Sequence, residues 1–336
     1  MTKMIVSHIQ ARQPQRETWP HEHLVHAHAL ALGQAIDSST WKNYRLALNS
    51  YLNFICLHNL PVKPTINTLS FCTVYMCHYI KPDSVNTYLL GICQQLEPFF
   101  ENIQELRWSQ LIHQTLQGCK WLHGSPIKRK RALTINDLTV VTQHLISSTS
   151  HNNLLFMTIL LVGFFTLMRL GELTYPDDTK LQNPRKLSPC HSVKMHMGSF
   201  EFFLPGHKAD QFFKGNTILL HKNNLPCNPA KFFTCYLTSH DHHFPLSPHL
   251  WMQEDGSVPT HSFFITQLHH FFEHNIGGQF MQTGGATSLA ENGALPQLIQ
   301  AIGHWASLSF QIYIQKHPML LHAMLYTHPS YIVPQT

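Results

Sequence analysis

Residues 154–173 read LLFMTILLVGFFTLMRLGEL, and the organisation of the chain follows from them. Positions 154–168 are apolar on every face, interrupted only by Thr158 and Thr166, and the run stops at Arg169. A helix without a polar face belongs at the centre of a domain. It falls short of the roughly 18–20 residues that a bilayer span requires, so a buried helix is predicted and no membrane partner. At 336 residues the chain has room for two domains of roughly 100–200 residues each.

Upstream of this helix the pattern is helical from about residue 19 to 123. Ser38-Ser39-Thr40 offers a cap before WKNYRLALNSYLNFICLHN, in which Tyr44, Leu48, Tyr51, Leu52 and Ile55 recur at helical spacing. LSFCTVYMCHYI fits a second helix, Asp83-Ser84 caps a third over VNTYLLGICQQLEPFF, and residues 105–121 read as another. This predicts a small all-α domain over residues 23–122, preceded by a flexible segment 1–22. HGSPIKRKRALT (residues 123–134) then breaks the helix and marks a basic linker, 123–133, with Thr134 capping the next helix.

Downstream, SVKMHM, FEFFLP and NTILL read as short strands, with HKADQFFKG joining the last two. Asp255-Gly256 is a turn, and Thr260 opens the helix HSFFITQLHHFFE. The helical segments GGATSLAENG, PQLIQAIG and SLSFQIYIQK follow. The second domain, residues 134–325 with a tail at 326–336, is predicted to be mainly α with a small antiparallel sheet.

Charge narrows the partner. The net charge is +5, but residues 1–131 hold 13 Lys/Arg against 7 Asp/Glu while the remainder is close to balance. Lys42, Arg45 and the run Lys128-Arg129-Lys130-Arg131 are therefore the candidate phosphate-backbone contacts. The run is also compatible with a solvated hinge or an import signal; its charge density at a linker favours DNA. Eight cysteines without a C-x-x-C pair read as reduced thiols in an intracellular protein. Histidine is abundant (27), with clusters such as His240-Asp241-His242-His243, yet no metal-ligand spacing is present, and no metal site is expected. The N-terminus lacks the apolar core of a secretory signal.

Three ordered motifs resemble those of the tyrosine recombinase (phage integrase) family. Phe165-Thr166-Leu167-Met168-Arg169-Leu170-Gly171-Glu172-Leu173 is similar to the family's first arginine motif. Leu298-Ile299-Gln300-Ala301-Ile302-Gly303-His304-Trp305 is similar to its leucine-glycine-histidine motif, and Tyr313 follows where the family keeps its nucleophile. Lys208, in LPGHKADQFF between two strands, falls at the family's strand lysine. The resemblance spans roughly residues 30–325, and the wording GGATSLAENG…LIQAIGHW…IYI looks closest to recombinases of fungal Crypton-type mobile elements. It implies a helical core-binding domain followed by an α+β catalytic domain, double-stranded DNA as partner, assembly with further copies on DNA, and no metal or nucleotide cofactor. It also implies roles for Arg169, Lys208, His304 and Tyr313 around one scissile phosphate. Taken singly, Arg169 is equally a cap on the buried helix, Tyr313 a packing residue and Lys208 surface decoration.

One motif departs from the family pattern. Where the family has His-x-x-Arg ahead of the Gly-Gly-Ala-Thr helix, this chain has Gln279 and Gln282, and no arginine follows Arg185. Glutamine donates a hydrogen bond but brings no charge, so strand cleavage is expected to be severely impaired. Scarce arginine beside plentiful histidine and glutamine fits a decaying copy of a mobile element. A nuclear location is the expectation if the source is a eukaryote. LLHAMLYTHPSYIV at the C-terminus suits exchange with a neighbouring copy or packing at home.

Overall fold

Residues 17–124, 131–207, 210, 214–272, 276 and 280–305 are described by the computed structural model. The chain divides into two units, Met1–Ile127 and Lys128–Thr336.

The first unit is all helix: α1 (His21–Gln34), α2 (Ser38–Leu57), α3 (Ile66–Cys77), α4 (Pro82–Leu96), α5 (Ile103–Arg107) and α6 (Gln110–His123). Tyr51, Phe54 and Ile55 of α2 meet Leu69 and Cys72 of α3 and Val85, Leu89 and Ile92 of α4 in one core. Gly91 lets α4 lie close against α2, since a Cβ there would fall 2.8 Å from the Tyr44 ring. Burial pushes the Cys72, Cys77 and Cys93 thiols up to about 12, so these three are packing groups, not nucleophiles.

Three expected helix boundaries move. The cap of α2 is Asp37, whose carboxylate accepts from the Ser39 backbone N–H at 2.9 Å; Ser38, Ser39 and Thr40 lie in the first turn. Helix α4 begins at Pro82, whose missing N–H is harmless at a first helical position. Asp83 sits in that first turn and pairs with Lys120 of α6 at 2.8 Å. The single helix expected over residues 105–121 is two helices, because Ser109 turns to extended backbone (φ −60°, ψ 146°) and starts α6 anew.

The second unit comprises α7 (Ile135–Leu145), α8 (His151–Phe165), α9 (Leu170–Leu173), β1 (Lys194–His196), β2 (Ser199–Leu204), β3 (Asn216–His221), α10 (Pro229–His243), α11 (His261–His269), α12 (Phe280–Glu291) and α13 (Pro296–Ile302). Helix α8 is the buried helix expected from its composition: every residue from Leu155 to Gly163, with Phe164, is buried. The three strands form an antiparallel sheet in the order β1-β2-β3, with Phe200 opposite Leu220 and Phe202 opposite Ile218. Their alternation turns Phe200, Phe202 and Leu204 inward, and Phe200 stacks on Phe233 of α10 at 3.9 Å. No helix among the described residues is long and apolar enough to cross a membrane.

Helix α10 was not expected from the sequence. Asn228 caps it and Pro229 fills its first position, and its buried residues Phe232, Phe233, Tyr236 and His240 hold one face. His151, at the start of α8, is buried and bonded through Nδ1 to Ser239 Oγ of α10 (2.8 Å) and through Nε2 to the Met252 carbonyl (2.9 Å).

Helix α12 crosses the last turn of α8 at the pair Gly284-Gly285. A Cβ on Gly285 would lie 2.1 Å from the Phe164 carbonyl oxygen, and one on Gly284 2.2 Å from that of Leu133. Both obstacles are backbone and cannot rotate away. Overpacking a core ordinarily costs about 1–3 kcal/mol, and Gly285→Ala is predicted to reach or exceed the top of that range in denaturant unfolding. Gly33→Ala, where nothing lies within 4 Å of the added carbon, is expected to leave stability within about 0.5 kcal/mol. Equal effects from the two substitutions would show that the close crossing is absent.

Candidate functional site

The turn carrying Arg169 is made by the way α8 stops. Met168 N–H reaches back to the Gly163 carbonyl (2.9 Å) and Leu167 N–H to that of Phe164 (3.4 Å), while Leu167 adopts φ +56°. This is a helix C-terminal motif that normally has glycine at the left-handed position. Leucine there costs about 1–2 kcal/mol, offset by burial of its side chain. Arg169 is thereby thrown out of α8 and becomes the residue preceding α9, so it does not cap the carbonyls of the buried helix. Glu172, itself largely buried, accepts from the Arg169 backbone N–H at 2.9 Å and from its guanidinium Nη1 at 3.2 Å. The carboxylate fixes the fork while leaving it partly exposed (23%). His261 abuts the same turn, with its Nε2 3.4 Å from where a Gly171 Cβ would stand.

The turn carrying His304 repeats the device. Trp305 N–H bonds to the Gln300 carbonyl (3.2 Å), His304 N–H to that of Ala301 (3.3 Å), and His304 adopts φ +51°. The Trp305 ring folds onto Gly303, whose absent Cβ would be 1.9 Å from it. Leu167 and Trp305 share one small apolar cluster with Ala286, Ala290 and Ile299. The two strained turns are thus pinned by one patch of core.

This packing brings Arg169 within electrostatic reach of His304. The His304 imidazole is held below its ordinary value first by burial, then by its neighbours His207 and Arg169. It is neutral at neutral pH, and so both donates and accepts hydrogen bonds. His207, just past the end of β2, stacks on it with ring centroids 4.7 Å apart and 18° between planes. Gln282, buried in the first turn of α12, donates from Nε2 to the Gly303 carbonyl at 3.4 Å. Arg169, His207, Gln282 and His304 therefore converge from four separate segments.

Of the other predicted residues, Lys208, Tyr313, Gln279, Lys128, Arg129 and Lys130 lie outside the described residues. Arg131 pairs with Asp137, which also closes the capping box of α7 with Thr134, and lies over the Phe272 ring. Lys42 and Arg45 stand exposed one turn apart on α2 of the first unit. Sequence reasoning missed His207, although its place beside the predicted strand lysine was a signal.

No protein-family model matches the chain, and no curated protein matches it in sequence. The fold, a mainly helical chain whose second unit sets one small antiparallel sheet against helices, is that of the tyrosine recombinases. The XerH site-specific recombinase bound to palindromic difH substrate in a post-cleavage complex matches with a TM-score of 0.59 at 16% identity, over 84% of this chain and 78% of that one. A lambda integrase dimer bound to a COC' core site matches at 0.55 and 13%, over 88% and 94%. The Tn1549 transposon integrase in complex with circular intermediate DNA matches at 0.51 and 12%, over 92% and 95%. At these identities the shared property is the fold.

Replacing His207 by glutamine removes one of the neighbours that hold His304 low. The His304 titration midpoint, followed by NMR, is predicted to rise while staying below the ordinary imidazole value, because burial is the larger cause. An unchanged midpoint would show that the two rings do not interact. His151 and His261 are also held low, each chiefly by burial. For all three histidines the unfolded state binds protons first. Their stabilisation is thus full above the unfolded value of about 6.5 and is lost as the pH falls below it toward the folded values. The thermal midpoint is expected to drop between neutral pH and about pH 5.

Proposed function

We propose that this chain is a DNA-binding protein of tyrosine-recombinase type whose strand-cleaving chemistry is severely weakened. The observation that carries the reading is the convergence of Arg169 and His304, held by one apolar cluster, with His207 presenting the segment that continues into Lys208. A phosphodiester resists nucleophiles because it is already anionic, and its transition state gathers more charge on the non-bridging oxygens. Arg169 would meet those oxygens with a planar, permanently charged fork. Neutral His304 would donate a hydrogen bond to a phosphate oxygen. In the family scheme the Tyr313 phenolic oxygen attacks phosphorus, the bond to the 5′-oxygen breaks as Lys208 supplies a proton, and a 3′-phosphotyrosine conserves the bond for rejoining. No metal or nucleotide takes part in that scheme.

Gln279 and Gln282 are what weaken it. Loss of one preorganised donor commonly costs about 10²–10³ in rate, and here a full charge and a histidine are both replaced. Gln282 is buried and its amide is directed at the Gly303 carbonyl, which supports a positioning use of that side chain. DNA binding is a separate matter. Lys42, Arg45, the Lys128-Arg129-Lys130-Arg131 run and Arg169 would contact double-stranded DNA, with affinity falling steeply as salt rises. Further copies of the chain would assemble on the duplex, in the nucleus if the source is a eukaryote. The motif wording supports descent from a mobile element of Crypton type. A non-catalytic, regulatory descendant is the second reading.

A pool of nicked duplexes of varied sequence separates these readings. Salt-sensitive retention is expected, with at most a trace of covalent protein–DNA adduct that Tyr313→Phe removes and Gln282→Arg increases. Arg169→Ala should weaken retention and lower the salt slope by about one. Abundant adduct from the native chain would overturn the impairment, and no retention on any duplex at low salt would overturn DNA binding.

A further inference from the structure

The side-chain donors of Cys190, His240 and Asp241 lie within 4.8 Å of one another, although the first is far from the others in sequence. Helix α10 supplies His240 and Asp241 from its last turn. Cys190 opens a tight turn just before β1, held in place by backbone pairing: Cys190 N–H to the Pro248 carbonyl (2.8 Å) and Leu250 N–H to that of Ser188 (3.0 Å). We propose that these three side chains form a divalent-cation site of the zinc type, with solvent completing the coordination.

The way His240 is packed, with a third donor converging on it, carries the inference. Its ring is buried (1% exposed), and Nε2 lies 3.0 Å from the His249 carbonyl. A carbonyl can only accept, so Nε2 donates to it and Nδ1 is the ring nitrogen turned toward the carboxylate. Nδ1 lies 3.2 Å from Asp241 Oδ1, a contact that a shared proton or a bound cation would each satisfy.

Cys190 favours the metal. A third donor converges on the same point, and sulfur, imidazole nitrogen and carboxylate oxygen together are a borderline-soft set suited to zinc. Tetrahedral zinc with bonds of about 2.0–2.3 Å separates neighbouring donors by roughly 3.3–3.8 Å. The Nδ1–Oδ1 separation of 3.2 Å is already close to that, and the Cys190 sulfur lies within 4.8 Å of the donors of both residues. The bond from Nε2 to a backbone carbonyl is the outer-shell contact that ligating histidines usually make, fixing tautomer and ring angle. Tyr236 and Phe244 both pack against the ring, each with centroids 5.9 Å away. Asp241 is exposed (64%), which leaves the ion an entry path from solvent. Bound there, the ion would tie the turn before β1 to the end of α10.

The test uses the full chain, stripped with chelator and kept reduced, with cobalt(II) as a spectroscopic probe and zinc in competition. A thiolate-to-cobalt charge-transfer band should develop at one equivalent and disappear on zinc addition. Zinc should also raise the thermal midpoint, because it binds only the folded arrangement. Cys190→Ser should abolish the band, and Asp241→Asn should weaken zinc affinity roughly 10–100-fold or more. Both positions reach the surface, so both variants are expected to fold, as judged by circular dichroism without metal. No thiolate band in the native chain leaves His240 and Asp241 as a simple ion pair and overturns the proposal. A band that survives in Cys190→Ser overturns it equally, because another cysteine would then be the ligand.

Discussion

The crossing of α12 over the last turn of α8, at backbone-to-backbone distance, is the constraint on which the second unit depends. Only a residue without a side chain fits where Gly284 faces the Leu133 carbonyl and Gly285 that of Phe164. The crossing sets Ala286 and Ala290 against Leu167, and these join Ile299 and Trp305 in the cluster beneath the site. Small residues along α12 thus determine how near the Arg169 turn can come to the His304 turn. Neither turn would hold its shape alone, since each places a non-glycine residue in the left-handed region at about 1–2 kcal/mol. Strain of this kind persists only where surrounding packing over-determines the backbone, and the shared cluster supplies that packing.

Much of this was legible in the sequence, and the exceptions have physical causes. The apolarity of residues 154–168, interrupted only by Thr158 and Thr166, identified a buried helix, and FEFFLP was legible as a short strand. Helix α10 is masked in the sequence because its exposed face carries Lys231, Asp241, His242 and His243, which interrupt the buried spacing of Phe232, Phe233, Tyr236 and His240. The cap of α2 was misplaced by one residue because three hydroxyls in a row look like a cap. The ionised carboxylate of Asp37, one position earlier, is the stronger acceptor.

The site divides along the same line. Arg169 and His304 were found from motif wording, since short-range pattern records how a turn is made. The stacking of His207 on His304 was not legible, because it depends on how the end of β2 meets α13 across the fold. Cys190 and His240 show the point more sharply. No ligand spacing exists in the chain, and their donors meet only because residues 188–190 pair with residues 248–250.

Electrostatics then links the burial of His304 to what the pocket would do with an anion. Burial first, then His207 and Arg169, holds His304 low, so without a ligand the imidazole is neutral and the fixed charge of the site is the Arg169 fork, which Glu172 already offsets. A phosphate bound against Arg169 would cancel one of the influences that keep His304 neutral and add an attractive one. Proton uptake by His304 and phosphate binding would therefore reinforce each other, as linkage requires. An arginine at position 282 would oppose that coupling by adding a second fixed positive charge beneath His304. Glutamine leaves the burden to groups that titrate, which is a poorer way to stabilise a transition state and an adequate way to hold a backbone.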